Sequence, residues 1–216
     1  MHGPSPSSDN TTGRERLPKT TKKQEEFRQL VTRRRQLIDL RTAETNRQEL
    51  LTSKPVQQSV QKVIALLEKQ IERIEKEIAK FLESDDQSKN KANIIKSVPG
   101  VGKVTVVSML ADLPELGFLN RQEIAALVGL APFNRDSGRY HGKRSIWGGR
   151  ASIRSVLYMA ALTARRCNPV IQAFAKRLKD QGKPFKIVIV ACMRKLLIIL
   201  NTLVKTNSQW NTNYAR

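Results

Sequence analysis

The sequence predicts an all-α fold, in which a long helical hairpin precedes a compact helical domain. Residues 22–52 are rich in charge and free of glycine and proline, and the next segment carries apolar residues at alternating spacings of four and three. Both patterns are typical of helices, whereas no segment alternates polar and apolar residues over the length of a useful strand. The chain of 216 residues could hold one large domain or two small ones.

The first 21 residues are predicted to form a disordered basic and polar tail, because they are rich in Ser, Pro and Thr and offer little apolar surface to bury. A long helix with a thin apolar face is expected from Lys22 to Thr52. Ser53-Lys54-Pro55 then predicts a helix stop and a new start, since proline is tolerated in the first turn of a helix.

The following helix carries a regular apolar seam of seven residues. They are Val60, Ile64, Leu67, Ile71, Ile74, Ile78 and Phe81. This heptad pattern predicts a coiled coil that completes a helical hairpin over residues 22–84. The seam could pack back on the first helix or against a second copy of the chain. A hairpin with no partner fits this pattern as well as a homo-oligomer does, and a resemblance described below makes the homo-oligomer through this coiled coil the expectation.

A polar linker is predicted at residues 85–92 and a compact domain at residues 93–210. Within that domain, residues 94–112 predict a helix, a tight turn and a second helix. Asn120, with Glu123 three residues later, predicts a capping box at the start of a short helix. Three longer helices are expected at Arg150 to Arg166, Val170 to Asp180 and Phe185 to Lys205.

The charge of the chain favours an anionic partner. The formal net charge is +20 and the isoelectric point is about 10.5, which suits the phosphate backbone of nucleic acid. We expect no membrane partner, because the longest apolar run, Ile187 to Leu200, is interrupted by Arg194 and Lys195 and is short for a bilayer span. With no apolar segment near Met1, the sequence predicts a cytoplasmic, nucleoid-associated protein.

The turn Pro99-Gly100-Val101-Gly102-Lys103 between two predicted helices matches the hairpin of a helix-hairpin-helix module. Gly100 and Gly102 would let the backbone approach a phosphate, the N–H groups at the start of the second helix would point towards it, and Lys103 would add a positive charge. We expect this turn to bind a nucleic-acid backbone without reading its sequence. A turn needed only for close packing is the alternative.

A glycine-rich loop carries the strongest candidate for chemistry, Ser137. Between Arg135 and Arg154 there are six Arg or Lys residues against one Asp, with glycines at 138, 142, 148 and 149. A hydroxyl surrounded by guanidinium groups suits attack on a phosphodiester, because the charge that develops on the phosphate needs fixed cations nearby. The predicted phosphate-binding residues of this region are Arg139, Lys143, Arg144, Arg150 and Arg154. Tyr140 is the second choice of nucleophile, Asp136 is a possible neighbouring base, and a basic loop that only holds phosphate is the alternative.

The helix that follows this loop predicts a polar stripe beside its buried face. Arg150, Arg154, Tyr158 and Arg165 recur at spacings near four, so they should lie next to one another along the helix. Arg150 and Arg154 occupy the first turns, and we expect them to project back towards the glycine-rich loop.

Several ordered motifs resemble a family of bacterial insertion-sequence transposases, the one-ten family, whose recombinases are guided by a bridge RNA. The resemblance extends from about Arg33 to Trp210. It rests on the runs Ile95 to Gly102, Ala125 to Pro132, Asp136 to Gly138, Gly148 to Ala161, Gly182 to Pro184 and Met193 to Leu197.

This resemblance implies that Ser137 forms a covalent link to DNA, that a guide RNA is a partner, and that the heptad segment is a connecting coiled coil. Members of the family also carry an N-terminal nuclease-like domain with four acidic residues that bind magnesium. Residues 1–21 contain no such acidic quartet. We therefore expect this chain to bind no metal or other cofactor itself, magnesium to belong with the absent domain, and the chain to be an inactive transposase fragment when alone. The other function considered is a non-catalytic protein that clamps the phosphate backbone, and a coiled-coil interaction protein is a third.

Overall fold

The computed structural model describes residues 21–133, 136–137, 140–141, 145–146 and 148–211, and it confirms the all-α prediction. Eight α-helices account for most of the described residues. The strands among them are two residues long and lie between Pro132 and Ile146, in the glycine-rich loop.

The hairpin consists of α1 (Lys22–Glu49) and α2 (Lys54–Ser84). Helix α1 begins at Thr21, whose hydroxyl accepts a hydrogen bond from the Gln24 N–H at 3.2 Å, and it ends three residues before the predicted Thr52. The seam of α2 packs back on α1. Its buried members and their α1 counterparts are Val60, Ile64, Ile71 and Ile78, opposite Phe27, Val31 and Leu37.

The segment predicted to be a linker is helical. Helix α3 spans Asp86–Lys96, so residues 86–92 are helical, and the division into two domains stays a prediction. The Asp85 carboxylate caps the helix by accepting a hydrogen bond from the Ser88 N–H at 3.0 Å, and Ile94 and Ile95 at its other end are buried. The polar composition of residues 85–91 therefore reflects an N-cap and an exposed first turn.

The hairpin also packs directly on the second half of the chain through α4 (Lys103–Asp112). Phe27, Val31 and Ile78 form a small apolar cluster with Val107 and Ala111. The ion pair between Arg35 and Asp112, 3.6 Å apart, crosses the same interface, as does the hydrogen bond from the Gln24 side chain to the Leu110 carbonyl oxygen.

The main core is built by α3 and α4 with four further helices. These are α5 (Arg121–Val128), α6 (Ala151–Cys167), α7 (Pro169–Asp180) and α8 (Phe185–Lys205). The predicted helix–turn–helix over residues 94–112 and the capping box of Asn120 with Glu123 are both present.

Helix α8 is long and apolar enough to cross a membrane, which differs from the sequence expectation. Half of its most apolar window is buried inside the protein, where it packs against α3, α5, α6 and α7. The buried Asn201 side chain accepts a hydrogen bond from the Gly117 N–H and donates one to the Leu119 carbonyl oxygen, both at 2.8 Å. This burial and this polar anchoring are those of a core helix.

Candidate functional site

The glycine-rich loop leaves and re-enters the helical core at one point, where three glycines meet. Gly129 ends α5 with φ +79°, and Gly148 and Gly149 precede α6 with φ +71° and +66°. A Cβ atom on Gly149 would lie 2.5 Å from the Val128 carbonyl carbon, and one on Gly129 would overlap the Gly148 carbonyl group. The two ends of the loop therefore touch backbone to backbone, which glycine alone permits here.

Arg154, on the first turns of α6, joins the two ends of this loop. Its Nη1 atom donates hydrogen bonds to the Val128 carbonyl oxygen at 3.0 Å and to the Gly148 carbonyl oxygen. The side chain thus projects towards the loop, and the loop's own backbone occupies this donor. A carbonyl at the end of α5 gains a cationic partner, which stabilises the end of that helix. We call the contact of Gly129, Gly148 and Gly149 with Arg154 the stem.

Beyond the stem, the loop forms a small antiparallel hairpin. Pro132–Phe133 (β1) pairs with Ser145–Ile146 (β4), and Asp136–Ser137 (β2) pairs with Tyr140–His141 (β3). In this register Ser137 lies opposite Tyr140. Both candidate nucleophiles are therefore neighbours in the backbone of the same strand pair, which one strand separates from the stem on each side along the chain. Only the backbone of Asp136, Ser137 and Tyr140 is described, so the ranking of Ser137 over Tyr140 stays a prediction.

The predicted phosphate-binding residues Arg139, Lys143 and Arg144 lie outside the described residues. The other predicted cations at this loop are Arg150 and Arg154, which stand where it returns to α6.

Arg150 is engaged by a carboxylate of the chain. Its guanidinium group donates two hydrogen bonds to Glu115, at 2.6 and 2.5 Å, and one to the Asp112 carbonyl oxygen at 2.7 Å. Burial raises the pKa of Glu115, but the hydrogen bonds and the charge of Arg150 outweigh this effect and leave that pKa below its ordinary value. A phosphate would have to compete with Glu115 for Arg150. No local pattern in the sequence indicates this partner, since 35 residues separate the two.

The turn between α3 and α4 uses its two glycines differently. Gly100 has φ +94°, and a Cβ atom there would lie 2.5 Å from the Ala164 Cα of α6. Backbone conformation and close packing against α6 therefore explain this glycine without a phosphate. Gly102 is the N-cap of α4 with φ −89°, no side chain caps the helix, and a Cβ atom there would meet nothing within 4 Å. Gly102 and the exposed Lys103 are therefore the part of the turn that a phosphate could reach.

A strongly basic surface surrounds these elements. Residues 150–211 contain twelve Lys or Arg residues and a single acidic residue, Asp180. Seven of these cations are exposed, at the ends of α6 and α8, on α7 and in the turn between α7 and α8. They are Arg166, Lys176, Arg177, Lys179, Lys183, Lys186 and Lys205.

Comparison with known proteins agrees with these motifs. Residues 92–176, from α3 to α7, match the domain model described as the transposase IS116/IS110/IS902 family. Residues 92–176 of this chain therefore resemble the transposase domain of that family. The matched region contains the α3–α4 turn, the glycine stem and the strand pair of Ser137. The description of the family includes IS110, which is the one-ten family that the sequence motifs resemble.

Individual relatives point to the same family. A pilin gene-inverting protein of Moraxella bovis is 31% identical over 63% of this chain and 44% of its own length. An uncharacterized 42 kDa protein of insertion element IS900 from Mycobacterium paratuberculosis is 29% identical over 73% of this chain and 41% of its own. An IS116 protein of Streptomyces clavuligerus is 34% identical over 45% of this chain and 24% of its own. The chain thus spans less than half the length of these relatives.

The described residues do not fit the magnesium ion that the resemblance associates with this family. Within the described ranges, no three His, Cys, Asp or Glu side chains come together in a metal-binding group. The carboxylates beside the stem, Asp112 and Glu115, are paired with arginines.

Proposed function

We propose that this chain is the strand-joining part of a transposase, which binds DNA through its basic helical half and attacks a phosphodiester with Ser137. The observation that carries the proposal is the stem. Three glycines and Arg154 fix both ends of a cation-rich loop on the core. A reactive group needs such support, because small errors in its position are costly for rate.

The distribution of charge supports DNA as the partner. The exposed cations of α6–α8 and the uncapped start of α4 at Gly102 and Lys103 belong to the half of the chain that carries the loop. Contacts of this kind hold the phosphate backbone without reading sequence, and they make binding steeply dependent on salt.

In the proposed step, the Ser137 Oγ attacks a backbone phosphorus atom. A bond forms between Oγ and phosphorus while the bond from phosphorus to one bridging oxygen breaks. The serine proton passes to a base, for which Asp136 is the candidate, and the departing oxygen takes up a proton to become a strand-end hydroxyl. The charge on the phosphate is stabilised by Arg139 and Arg144 in the loop.

Arg150 and Arg154 have a different role in this proposal. They position the loop, because their guanidinium groups bond to Glu115 and to the stem carbonyls. Arg154→Ala should therefore reduce strand joining far more than DNA binding, and equal losses of both would contradict this positioning role.

A second candidate function is a clamp that binds DNA without breaking a bond. The engagement of Arg150 and Arg154 by the chain itself favours this candidate, since Glu115 neutralises the charge of Arg150 and the stem carbonyls hold one donor of Arg154. A trapped covalent adduct separates the two functions. Purified chain, with magnesium and with an acidic nuclease-like domain supplied as a separate protein, is incubated with nicked duplex DNA, denatured and analysed by mass spectrometry.

The transposase proposal expects a DNA adduct on Ser137 that Ser137→Ala abolishes. Ser145→Ala, in the same hairpin, is the matched control and should keep the adduct. Salt-dependent DNA binding that Ser137→Ala leaves unchanged, with no adduct in any sample, would select the clamp.

We also propose that the hairpin joins two copies of the chain. Large apolar residues lie exposed on the half of the hairpin near its turn: Leu40, Leu50, Val56, Val63 and Leu66. A second hairpin could bury them. Leu66→Glu should then lower the mass measured by light scattering from dimer to monomer, and an unchanged mass would refute this interface. The guide RNA expected from the resemblance is tested by sequencing the RNA that copurifies with the chain.

A further inference from the structure

We infer that a groove between α6 and α8 holds an unpaired nucleotide of the DNA strand that the serine loop handles. The groove has a volume of about 460 Å³, within the range of about 300–1,000 Å³ that is typical of ligand pockets. It begins at Ile146 and Arg154, beside the stem, and runs along α6 to Tyr158 and across to Phe185 on α8. The inference rests on the proposed function, since it assumes that the chain binds DNA.

The floor of the groove is apolar and its rim is aromatic. Ile189 and Met193 of α8 are almost fully buried beneath it. Tyr158 and Phe185 line it and remain 39% and 52% exposed, which is unusual for aromatic side chains on a protein core. Exposed rings beside an apolar floor provide a stacking surface for a flat aromatic group.

Cations surround the same groove. Arg154 and Lys186 line it, and the Arg165 guanidinium lies over the Phe185 ring, 5.1 Å from its centroid. This cation–π contact fixes the ring and places a positive charge at the rim. The polar stripe that the sequence predicted on α6 thus forms part of this groove through Arg154 and Tyr158, with Arg165 at its rim.

The combination of aromatic rings, apolar floor and positive rim identifies the occupant. A nucleotide supplies a flat base for the rings and a phosphate for the cations. In a duplex the faces of the bases are stacked on each other, and only their edges are accessible in the grooves. The base must therefore be unpaired, as it is in a single strand or at an opened joint.

The test compares single-stranded and duplex DNA of one sequence by fluorescence anisotropy with the whole chain. Tyr158→Ala and Phe185→Ala should each weaken single-strand binding by about tenfold, because stacking of one base on an aromatic ring has an effect of this size. Duplex binding should change by less than the single-strand loss. Phe185→Trp should restore single-strand binding, since it keeps an aromatic surface.

Phe118→Ala is the matched control. Phe118 is also an exposed ring with a cation over it, Lys91 at 5.3 Å, but it lies in a different depression beside Thr21 and α3. This variant should bind single strands as the unmodified chain does. A probe with 5-iodouracil at one unpaired position should crosslink to Tyr158 or Phe185 and to no residue of the control depression.

Three outcomes would overturn the inference while leaving DNA binding intact. The first is that the aromatic variants lose duplex binding and single-strand binding equally. The second is that neither Tyr158→Ala nor Phe185→Ala loses single-strand binding. The third is that Phe185→Ala has a changed oligomeric mass, which would show that the groove is a contact between copies of the chain. Failure of the unmodified chain to bind any DNA would instead refute the proposed function. A larger loss with an RNA oligonucleotide of the same sequence, run in parallel, would also overturn the inference, because the groove would then prefer an RNA strand.

Discussion

Two neighbouring glycines of the stem give a sharp test of how the loop is held. Gly148 and Gly149 have nearly the same positive φ, +71° and +66°, so alanine at either position meets a similar backbone strain of about 1–2 kcal/mol. The surroundings differ, because a Cβ atom on Gly148 meets nothing within 4 Å whereas one on Gly149 overlaps the backbone of Val128 and Gly129. Overpacking of this kind typically adds about 1–3 kcal/mol.

We therefore expect Gly149→Ala to lower the free energy of unfolding by about 1–3 kcal/mol more than Gly148→Ala. The gain from a stiffer unfolded chain is the same for both substitutions and cancels in the difference. For a chain of this length the extra loss corresponds to about 2–12 °C in Tm. Urea unfolding followed by circular dichroism measures it. Equal losses in the two variants would show that the two ends of the loop do not touch, and the stem would be wrong.

Three further perturbations address other parts of the site. Gly102→Asp and Gly102→Asn should both stabilise α4, because each side chain can cap the helix. Only the aspartate should weaken DNA binding, because its charge repels a phosphate. Equal DNA affinities of the two variants in filter binding would show that the turn does not contact DNA. Glu115 has a lowered pKa, so its contribution to stability is complete above its ordinary value of 4.5 and is lost as the pH falls through the lower folded value. Glu115→Gln should therefore lose less stability than the unmodified chain on acidification below pH 4.5, and parallel acid-unfolding curves would contradict the ion pair with Arg150. Asn201→Ala should lower the free energy of unfolding in urea by about 1–3 kcal/mol, because it leaves the half-buried Gly117 N–H and Leu119 carbonyl groups without their partner. A loss near zero would show that water replaces the amide.

Local signals in the sequence were enough to predict most of the helices. The predicted and observed bounds of α8 coincide, and α7 begins one residue earlier than predicted. The agreement is close because Gly182, Pro184 and Asn168-Pro169 are strong signals for the ends of helices. The polar composition of residues 85–92 predicts a linker, whereas residues 86–92 belong to a helix. A helix that exposes its first turns has the same composition, and only the Asp85 cap distinguishes it.

The candidate site was less predictable, because its geometry depends on contacts between distant residues. The sequence indicated that Arg150 and Arg154 face the loop, but nothing local to them shows that Glu115 and the Val128 carbonyl would occupy their donors. Likewise, the role of Gly100 depends on Ala164, which lies on another helix. Such pairings follow from packing in three dimensions and are invisible to spacing along the chain.

The most direct measurement is the identity of the residue that becomes joined to DNA. A duplex with a bridging phosphorothiolate at the broken bond releases a thiolate that rejoins poorly, so any covalent intermediate accumulates and its peptide can be sequenced. We predict that the modified peptide carries the nucleotide on Ser137 and disappears in Ser137→Ala but not in Ser145→Ala. An adduct on Tyr140, or one that survives Ser137→Ala, would contradict the proposed chemistry.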